Sequence, residues 1–245
     1  MKYVAIIPAR YASTRFPGKP LAKIKNKTMI ERVYKQTRKA LKYVYVATDD
    51  ERIDREVKRF GGNSVLTKKD HKSGTDRLSE AIQIIEEQDQ LSFDIVINVQ
   101  GDEPYIHPEQ IAELCACFED QNTEIATLAK YITRNEDIFN PNLPKLIANK
   151  YEEAIYFSRS PIPYIRGEEE STWHNKHTFK KHLGMYGYRS EVLKTITQIP
   201  PSSLETTESL EQNRWLENGY KIKIRMTEYE NHPVDTPDDL KKLEK

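Results

Sequence analysis

Three cationic side chains lie close together just after the first apolar run of the chain. The segment VAIIPARYASTRFPGKPL, residues 4–21, carries Arg10, Arg15 and Lys19 among small and hydroxyl residues. Small residues let backbone amides approach a ligand, and three cations can neutralise a polyanion. The segment has neither the Walker A spacing nor the GxGxxG pattern. Its spacing alone fits a phosphate-binding loop and a solvated basic loop equally well.

A carboxylate follows a second apolar run. In INVQGDEP, Asp102 lies just past the apolar residues, and a carboxylate there can hold Mg²⁺ against phosphates because hard cations prefer oxygen ligands. A simple Gly-Asp turn explains the same letters. Glu103, beside it, is interpreted as local support. Position alone slightly favours the turn.

The segment HPVDTPDDL offers a second metal ligand among three acids. Thr236 followed by Pro237 is typical of a helix start, with Thr as the cap and Pro in the first turn. Asp238 and Asp239 then fall in the first turn, where the helix dipole favours acids for a structural reason. Asp235 precedes the cap and has no such duty, so it is the candidate ligand.

The elements that must position these residues alternate along the first half of the chain. Apolar runs typical of buried strands are followed by segments with apolar residues at helical spacing. The predicted strands are YVAII, YVYVAT, SVL, FDIVINV and IATLAKYI, and the predicted helices are MIERVYKQTRKAL, DDERIDREVKRFGG, SGTDRLSEAIQIIEEQ and PEQIAELCACFED. This alternation predicts an α/β protein with a mainly parallel sheet and helices on both faces. Ligands bind beyond the carboxyl ends of such strands, where the basic loop lies.

The pattern changes after about residue 140. LPKLIA, EAIYFS and KHLGMYGY are predicted strands without full-length helices between them, and SPIPYIRGEEESTWHNKH is a long polar connection. TTESLEQNRWLENG is predicted as one helix, which places Glu208, Glu211 and Gln212 on one face by their spacing. YKIKIRM is a further strand, and TPDDLKKLEK is a closing helix. The second half therefore adds antiparallel strands to the sheet and a substrate or dimer element.

Composition excludes several classes of protein. The 245 residues carry a formal net charge of zero, so no global basic field attracts nucleic acid or membrane surfaces. The N-terminal apolar run is too short for a signal peptide, and no stretch approaches the span of a bilayer. Cys115 and Cys117 are two apart in a predicted helix, so they should point to different faces and form neither a disulfide nor a zinc site. A soluble cytoplasmic protein is expected.

Several segments, taken in order, resemble a known family. IIPARYASTRFPGKPL, DHKSGTDRL, NVQGDEP, IYFSRSPIPY, KHLGMYGYR, ESLEQNRWLENG and VDTPDDL are similar in register to the 3-deoxy-manno-octulosonate (Kdo) cytidylyltransferases, and the likeness covers nearly the whole chain. The resemblance implies a nucleotide-diphospho-sugar transferase-like α/β sheet and a homodimer. It also implies a reaction in which CTP and Kdo give CMP-Kdo and pyrophosphate for lipopolysaccharide biosynthesis.

The resemblance implies roles residue by residue. On the nucleotide side, the triphosphate is held by Arg10, Ser13 and Lys19, and cytosine by Ser73, Gly74 and Arg77. Mg²⁺ is held by Asp102 and Asp235, which with Lys19 are the expected catalytic residues. On the sugar side, the implied residues are Arg15, Gln100, Arg159, His182, Tyr186, Glu211 and Gln212. Arg15 is expected where nucleotide and sugar acid meet.

Each of these residues also has a structural interpretation. Ser73 or Thr75 caps a helix in any case. An arginine suits a carboxylate and Glu or Gln acceptors suit hydroxyls, but the sugar-side residues could equally form a solvated face or satisfied core polar groups. His182 either binds the sugar or packs beneath it. Two departures from the family pattern, Pro233 and residues 167–175, lie near the expected sugar site.

The chain is expected to form one cytidylyltransferase domain, residues 1–245. Residues 1–140 are the predicted nucleotide-binding half, 141–232 the sugar-binding and dimerisation elements, and 233–245 the returning metal-site segment with the C-terminal helix. CTP and Kdo are the expected partners, with neither nucleic acid nor membrane. The alternatives are the same reaction on a related sugar acid, such as 8-amino-Kdo or a nonulosonate, and a non-catalytic CTP-binding regulator.

Overall fold

The computed structural model describes residues 1–12 and 16–243. Its strands are β1 Tyr3–Ala9, β2 Lys23–Ile24, β3 Lys27–Thr28, β4 Val44–Thr48, β5 Asn63–Leu66, β6 Ile95–Asn98, β7 Ile125–Tyr131, β8 Lys145–Ala148, β9 Ala154–Ser158, β10 Lys180–Arg189 and β11 Ile222–Met226. Its helices are α1 Met29–Ala40, α2 Glu51–Arg59, α3 Gly74–Asp89, α4 Pro108–Ala116, α5 Asn135–Phe139, α6 Trp173–Lys176, α7 Ser190–Ile196, α8 Ser203–Glu208, α9 Gln212–Glu217 and α10 Pro237–Leu243. The predicted strand-helix alternation of the first half is confirmed.

Within these residues the main sheet has nine strands. Seven of them follow the order β11-β7-β10-β6-β1-β4-β5, while β8 pairs with β10 and β9. The pairs β1–β4, β1–β6, β4–β5 and β11–β7 are parallel, whereas β10 is antiparallel to β6, β7 and β8. The prediction of a mainly parallel sheet with antiparallel strands from the second half is therefore confirmed.

The position of β10 brings the two halves of the chain together. Tyr186 of β10 is paired with Asn98, the last residue of β6. Because the strands are antiparallel, the earlier residues of β10 continue past the end of β6. They therefore lie at the edge of the sheet where the loops after β1 and β6 emerge.

Both faces of the sheet are covered. Alternate β1 residues enter different apolar clusters, so that Val4 and Ile6 pack with α3 and α7, while Ala5 and Ile7 pack with α1, α2 and α4. These side chains are fully buried, and each large aliphatic one contributes about 1.5–3 kcal/mol on burial. A smaller cluster around Trp173 and Phe179 lies under the polar connection, which contains short helical turns.

One predicted helix is wrong. TTESLEQNRWLENG is divided into α8 and α9 by Ser209, which adopts a left-handed conformation with φ of 51°. Because α8 ends at Glu208 and α9 begins at Gln212, the i, i+3 and i+4 spacing is interrupted, and Glu208, Glu211 and Gln212 do not share a helix face. The helical pattern on either side did not reveal the break.

Both cysteines are free thiols, as expected. Cys115 is half-buried and Cys117 is buried, and both pack against the cluster that contains α1 and α4. The two thiols have different neighbours, as predicted: Cys115 lies near Tyr3 and Leu41, whereas Cys117, at the start of a 3-10 turn after α4, lies near Lys223 and Arg225. In the described part of the chain, membrane-spanning helices are absent, since none is both long and apolar enough.

Candidate active site

One lysine lies between two carboxylates at the carboxyl edge of the sheet. The Lys19 Nζ donates a hydrogen bond to Asp102 Oδ2 at 2.8 Å and lies 3.6 Å from Asp235 Oδ1. The Lys19 side chain is 16% exposed, and the two carboxylates are 27% and 39% exposed. The three predicted catalytic side chains therefore form one partly solvated cluster.

A left-handed glycine positions Lys19. Gly18 has φ of 72°, a conformation that L side chains rarely adopt, and its amide donates to the Tyr11 carbonyl at 2.9 Å. A short 3-10 turn then begins at Lys19. Tyr11 also packs its ring against the Arg52 guanidinium, 3.3 Å from the ring centre. The Gly18–Tyr11 hydrogen bond and the turn that follows it place Lys19 within reach of Asp102.

Asp102 is held by a close approach between two backbones. A Cβ on Gly101 would lie 2.8 Å from the carbonyl oxygen of Pro8, a distance that real Cβ atoms essentially never show. Glycine therefore lets the turn after β6 press against the end of β1. This contact brings Asp102 beside the loop that carries Lys19.

The segment after β11 carries Asp235 to the same place. The Val234 amide donates to the Asp102 carbonyl at 3.0 Å, and the fully buried Val234 side chain packs with Ile24 and Met29. Farther back, Asn231 donates to the buried Glu103 carboxyl at 3.2 Å. Burial, with the neighbouring Asp102 charge, raises the pKa of Glu103 to about 7.

The predicted capping role of Thr236 is confirmed. Its Oγ1 accepts a hydrogen bond from the Asp239 amide at 3.3 Å, and Asp239 Oδ2 accepts from the Thr236 amide at 3.0 Å. Helix α10 begins at Pro237. Asp239 thus serves the helix start, while Asp235 lies before it and faces Lys19.

The start of α3 combines a cap with a buried arginine. Ser73 Oγ accepts from the Asp76 amide at 3.0 Å in a capping box, and Gly74 is the first helical residue. Arg77 is 1% exposed, and its guanidinium donates to the Lys68 carbonyl and to Asp49 Oδ2, each at 3.2 Å. Burial lowers the pKa of Arg77, whereas Asp49 opposes that change.

Arg10 lies at the exposed end of β1, where its charge further lowers the pKa of Arg77. Two guanidinium groups near each other favour an anion between or beside them. The other two loop residues predicted to bind ligand, Ser13 and Arg15, lie outside the described residues. Asp49 is not among the residues predicted for the site, although the pair of acids directly after β4 is a usable signal.

Strand β10 carries two predicted sugar-side residues. Thr127 Oγ1 lies 3.0 Å from the His182 Nε2, and the His182 ring contacts those of Phe157 and Tyr186. Burial lowers the pKa of His182 to about 3, so the imidazole is neutral at physiological pH. Across the edge, Gln100 Nε2 donates to the Gly184 carbonyl at 2.9 Å.

Glu211 connects the nucleotide side to the sugar side. Its Oε2 accepts a hydrogen bond from the Thr75 hydroxyl at 2.6 Å. Burial raises the pKa of Glu211, and hydrogen bonds from Thr75 and Ser73 partly offset this. The neighbouring Gln212 is almost fully buried, and its Nε2 has no hydrogen-bond partner among the described residues. The sequence predicts Thr75 only as a possible helix cap, and not as a partner of Glu211.

Arg159 follows β9 and is held at several points. Its Nε donates to the Glu208 carbonyl at 2.7 Å, its Nη1 to the Pro141 carbonyl at 2.9 Å, and its Nη2 to the Ser209 carbonyl at 3.2 Å. The Glu208 carboxylate accepts from Ser158 Oγ and the Arg159 amide. Glu208 therefore serves local structure and not a face shared with Glu211.

The fold and the comparisons define a class of enzyme. A solved structure of a putative glucose-1-phosphate thymidylyltransferase from Bacillus anthracis is 16% identical, covers 99% of this chain and 94% of its own, and has a TM-score of 0.62. That likeness concerns the fold alone, which is of the nucleotidyltransferase type. A family model described as Cytidylyltransferase matches residues 4–224, and the chain belongs to this family.

Closer relatives are similar over their full lengths. A protein of Parabacteroides distasonis named 3-deoxy-manno-octulosonate cytidylyltransferase is 57% identical, over 99% of this chain and 96% of that protein. One of Bacteroides thetaiotaomicron with the same name is 55% identical over 100% and 97%. The solved structure of CMP:2-keto-3-deoxy-manno-octonic acid synthetase complexed with CTP is 40% identical, with a TM-score of 0.89 over 100% and 97%.

Proposed function

We propose that this enzyme transfers a cytidylyl group from CTP to Kdo, forming CMP-Kdo and pyrophosphate for lipopolysaccharide biosynthesis. The observation that carries the proposal is the placement of Lys19 between Asp102 and Asp235 at the carboxyl edge of the sheet. Nucleotidyl transfer depends mostly on positioning and on neutralising phosphate charge, which a lysine beside two metal-compatible carboxylates can supply. The names of the full-length relatives support CTP and Kdo as the substrates.

The nucleotide side offers cations and exposed amides. Arg10 and Lys19 flank the loop after β1, and the α3 N-terminus presents Gly74 beside Pro8. Helix N-termini attract negatively charged or carbonyl groups. In the proposal the triphosphate binds the loop, cytosine binds at the start of α3, and the buried Arg77 supports that site from beneath.

Asp102 and Asp235 fit Mg²⁺ as the cofactor. Their carboxylates approach one ammonium from two separate segments, and both are hard oxygen donors. No group of three or more His, Cys, Asp or Glu within residues 1–12 and 16–243 is arranged to hold a metal ion alone. Two carboxylates with substrate phosphates completing the shell match the way Mg²⁺ is usually bound. When bound, the ion would neutralise phosphate charge and polarise the attacking hydroxyl.

The sugar side offers groups suited to a polyhydroxy acid. Arg159 suits the carboxylate, while Gln100, Tyr186, Glu211 and Gln212 suit hydroxyls. Gln212 Nε2, buried and unpartnered among the described residues, supports a polar ligand at this place because such groups rarely remain unpaired. The Kdo hydroxyl attacks the α-phosphorus of CTP, and pyrophosphate leaves in line.

We further propose that the enzyme acts in the cytoplasm as a homodimer. The dimer rests on the family resemblance, with residues 141–232 as its expected element. The cytoplasm suits an enzyme that uses CTP and keeps two free, unreactive thiols. Sedimentation of the purified protein tests the dimer directly.

The decisive experiment measures pyrophosphate release from CTP with a panel of sugar acids. Kdo should give the highest kcat/KM, and CTP should be preferred over other nucleoside triphosphates. A higher kcat/KM with 8-amino-Kdo or a nonulosonate would correct the sugar. Tight CTP binding without pyrophosphate release from any acid would favour a regulatory protein.

A further inference from the structure

Among the described residues outside the predicted site, Lys145, at the start of β8, is the most deeply buried charged group. It has no exposed surface, and its Nζ donates to the Asn140 carbonyl at 2.9 Å and to the Arg159 carbonyl at 2.6 Å. A buried ammonium loses its hydration, and it is tolerated only when hydrogen bonds replace that water. Both of its bonds go to backbone, and one of them goes to Arg159 itself.

The Glu208 carboxylate binds the backbone amide of Arg159. Its Oε2 accepts from the Arg159 amide at 3.0 Å, while its Oε1 accepts from Ser158 Oγ at 2.6 Å and from the Tyr156 hydroxyl at 3.2 Å. The carbonyl of Arg159 is therefore bound by a cation and its amide by an anion. We call Lys145 and Glu208 the backbone clamp.

The clamp also sets the surroundings of the guanidinium. Lys145 binds the carbonyl of Asn140, and the carbonyl of the next residue, Pro141, accepts a hydrogen bond from Arg159 Nη1. The Glu208 carbonyl accepts a hydrogen bond from Arg159 Nε. The Ser209 carbonyl is the third acceptor, so carbonyls of described residues accept hydrogen bonds from three of the five guanidinium N–H groups of Arg159. One N–H on each terminal nitrogen is left, which matches the two oxygens of a carboxylate.

We propose that Lys145 and Glu208 are positioning residues that orient Arg159 to receive the carboxylate of the sugar acid. The inference rests on the proposed function, because it gives Arg159 that ligand. Neither clamp residue touches the substrate. A lysine and a glutamate both bind the backbone of one residue, Arg159. Stability of the β8–β9 hairpin does not explain this arrangement well, because apolar side chains at the same positions would stabilise the hairpin equally.

The electrostatic environment agrees with this arrangement. Burial and the nearby Arg159 charge together lower the pKa of Lys145 to about 8, while the Glu208 charge opposes both effects. A lysine kept charged in such surroundings at neutral pH depends on its carbonyl partners and on Glu208. Removal of either clamp residue should therefore loosen the other as well as Arg159.

The test compares Lys145→Met, Arg159→Met and the double variant in steady-state assays that vary CTP and sugar acid separately. Lys145→Met should raise KM for the acid at least tenfold and leave KM for CTP within twofold. In the Arg159→Met background the same change should add less than twofold, because the group that it positions is gone. Lys150→Met, on an exposed lysine of the β8–β9 turn, is the matched control.

Contrary results are distinct. Three results would overturn the positioning role of the clamp: an unchanged KM for the acid, a parallel rise in both KM values, or effects that multiply in the double variant. Normal turnover of the wild-type enzyme would still support the proposed function in each case. A CTP-induced thermal shift shows whether Lys145→Met is folded. If it is not, Glu208→Leu replaces it in the same double-variant comparison. If neither variant folds, the two residues serve stability and the inference is overturned. Lack of wild-type turnover with every acid contradicts the proposed function and the clamp together.

Discussion

Lys19 Nζ and Asp102 Oδ2 lie 2.8 Å apart, although 83 residues separate them in the chain. The pair forms because a left-handed Gly18 turns the loop after β1 inward, while Gly101 lets the turn after β6 press on Pro8. Asp235 reaches the same ammonium from a third segment. Three segments of the chain thus each bring one charged side chain to the carboxyl edge of the sheet.

Asp235→Asn should lower turnover at saturating Mg²⁺ by about a hundredfold, which corresponds to about 3 kcal/mol in the barrier. The amide keeps the shape of the side chain but removes a negative charge from the expected metal site. Asp238→Asn is the matched control, since its carboxylate is 79% exposed and pairs only with Lys241 among the described residues. Equal turnover of the two variants would show that Asp235 is not a metal ligand.

Asp239→Ala should destabilise the protein without a comparable loss of turnover. Its carboxylate accepts from the Thr236 amide at the start of α10, and loss of such a cap costs about 1 kcal/mol. Urea denaturation measures the stability, and the pyrophosphate assay measures the rate. A hundredfold loss of rate in a folded Asp239→Ala protein would show that the wrong acid was chosen.

Chelation of divalent ions should abolish pyrophosphate release, and added Mg²⁺ should restore it. Asp102 and Asp235 alone provide too few ligands for a tight site, so the ion should bind mainly together with CTP. Calorimetry of CTP binding with and without Mg²⁺ provides a readout that does not depend on turnover. Activity that survives exhaustive chelation would contradict the proposed cofactor.

Lowering the pH should destabilise the protein partly through His182. The unfolded imidazole takes up a proton near pH 6.5, whereas burial keeps the folded one neutral down to about pH 3. Between these values the unfolded state binds more protons, so stability falls as the pH falls, by about 1 kcal/mol at pH 5.5 from this group. His182→Gln cannot titrate, and its urea midpoint should depend less on pH over this window. Identical pH profiles would show that folding leaves the pKa of His182 unchanged, and would contradict this prediction.

Cys115 and Cys117 should react slowly with thiol reagents and have no part in turnover. Burial raises the pKa of Cys115 to about 12 and that of Cys117 to about 11, so almost no thiolate is present at neutral pH. Cys117→Ala should cost about 1 kcal/mol of stability through a small cavity and leave kcat unchanged. Rapid labelling of the native protein, or a hundredfold fall in kcat, would point to a reactive thiol.

The features of this protein that depend on local periodicity are predictable from the amino-acid sequence. Apolar runs and helical spacing predicted the α/β sheet, and a Thr-Pro pair predicted the start of α10, which left Asp235 as the acid without a capping role. Such features are predictable because each depends on residues within a few positions of one another.

Contacts between side chains that are distant in the chain are visible only in the folded protein. Ser209 interrupts a regular helical pattern, so Glu208 turns to Arg159 while Glu211 turns to Thr75. Lys145, which reads as an ordinary polar position in the sequence, is fully buried. The physical reason is that burial and long-range hydrogen bonds depend on which segments the sheet order places side by side, and no local pattern contains that order.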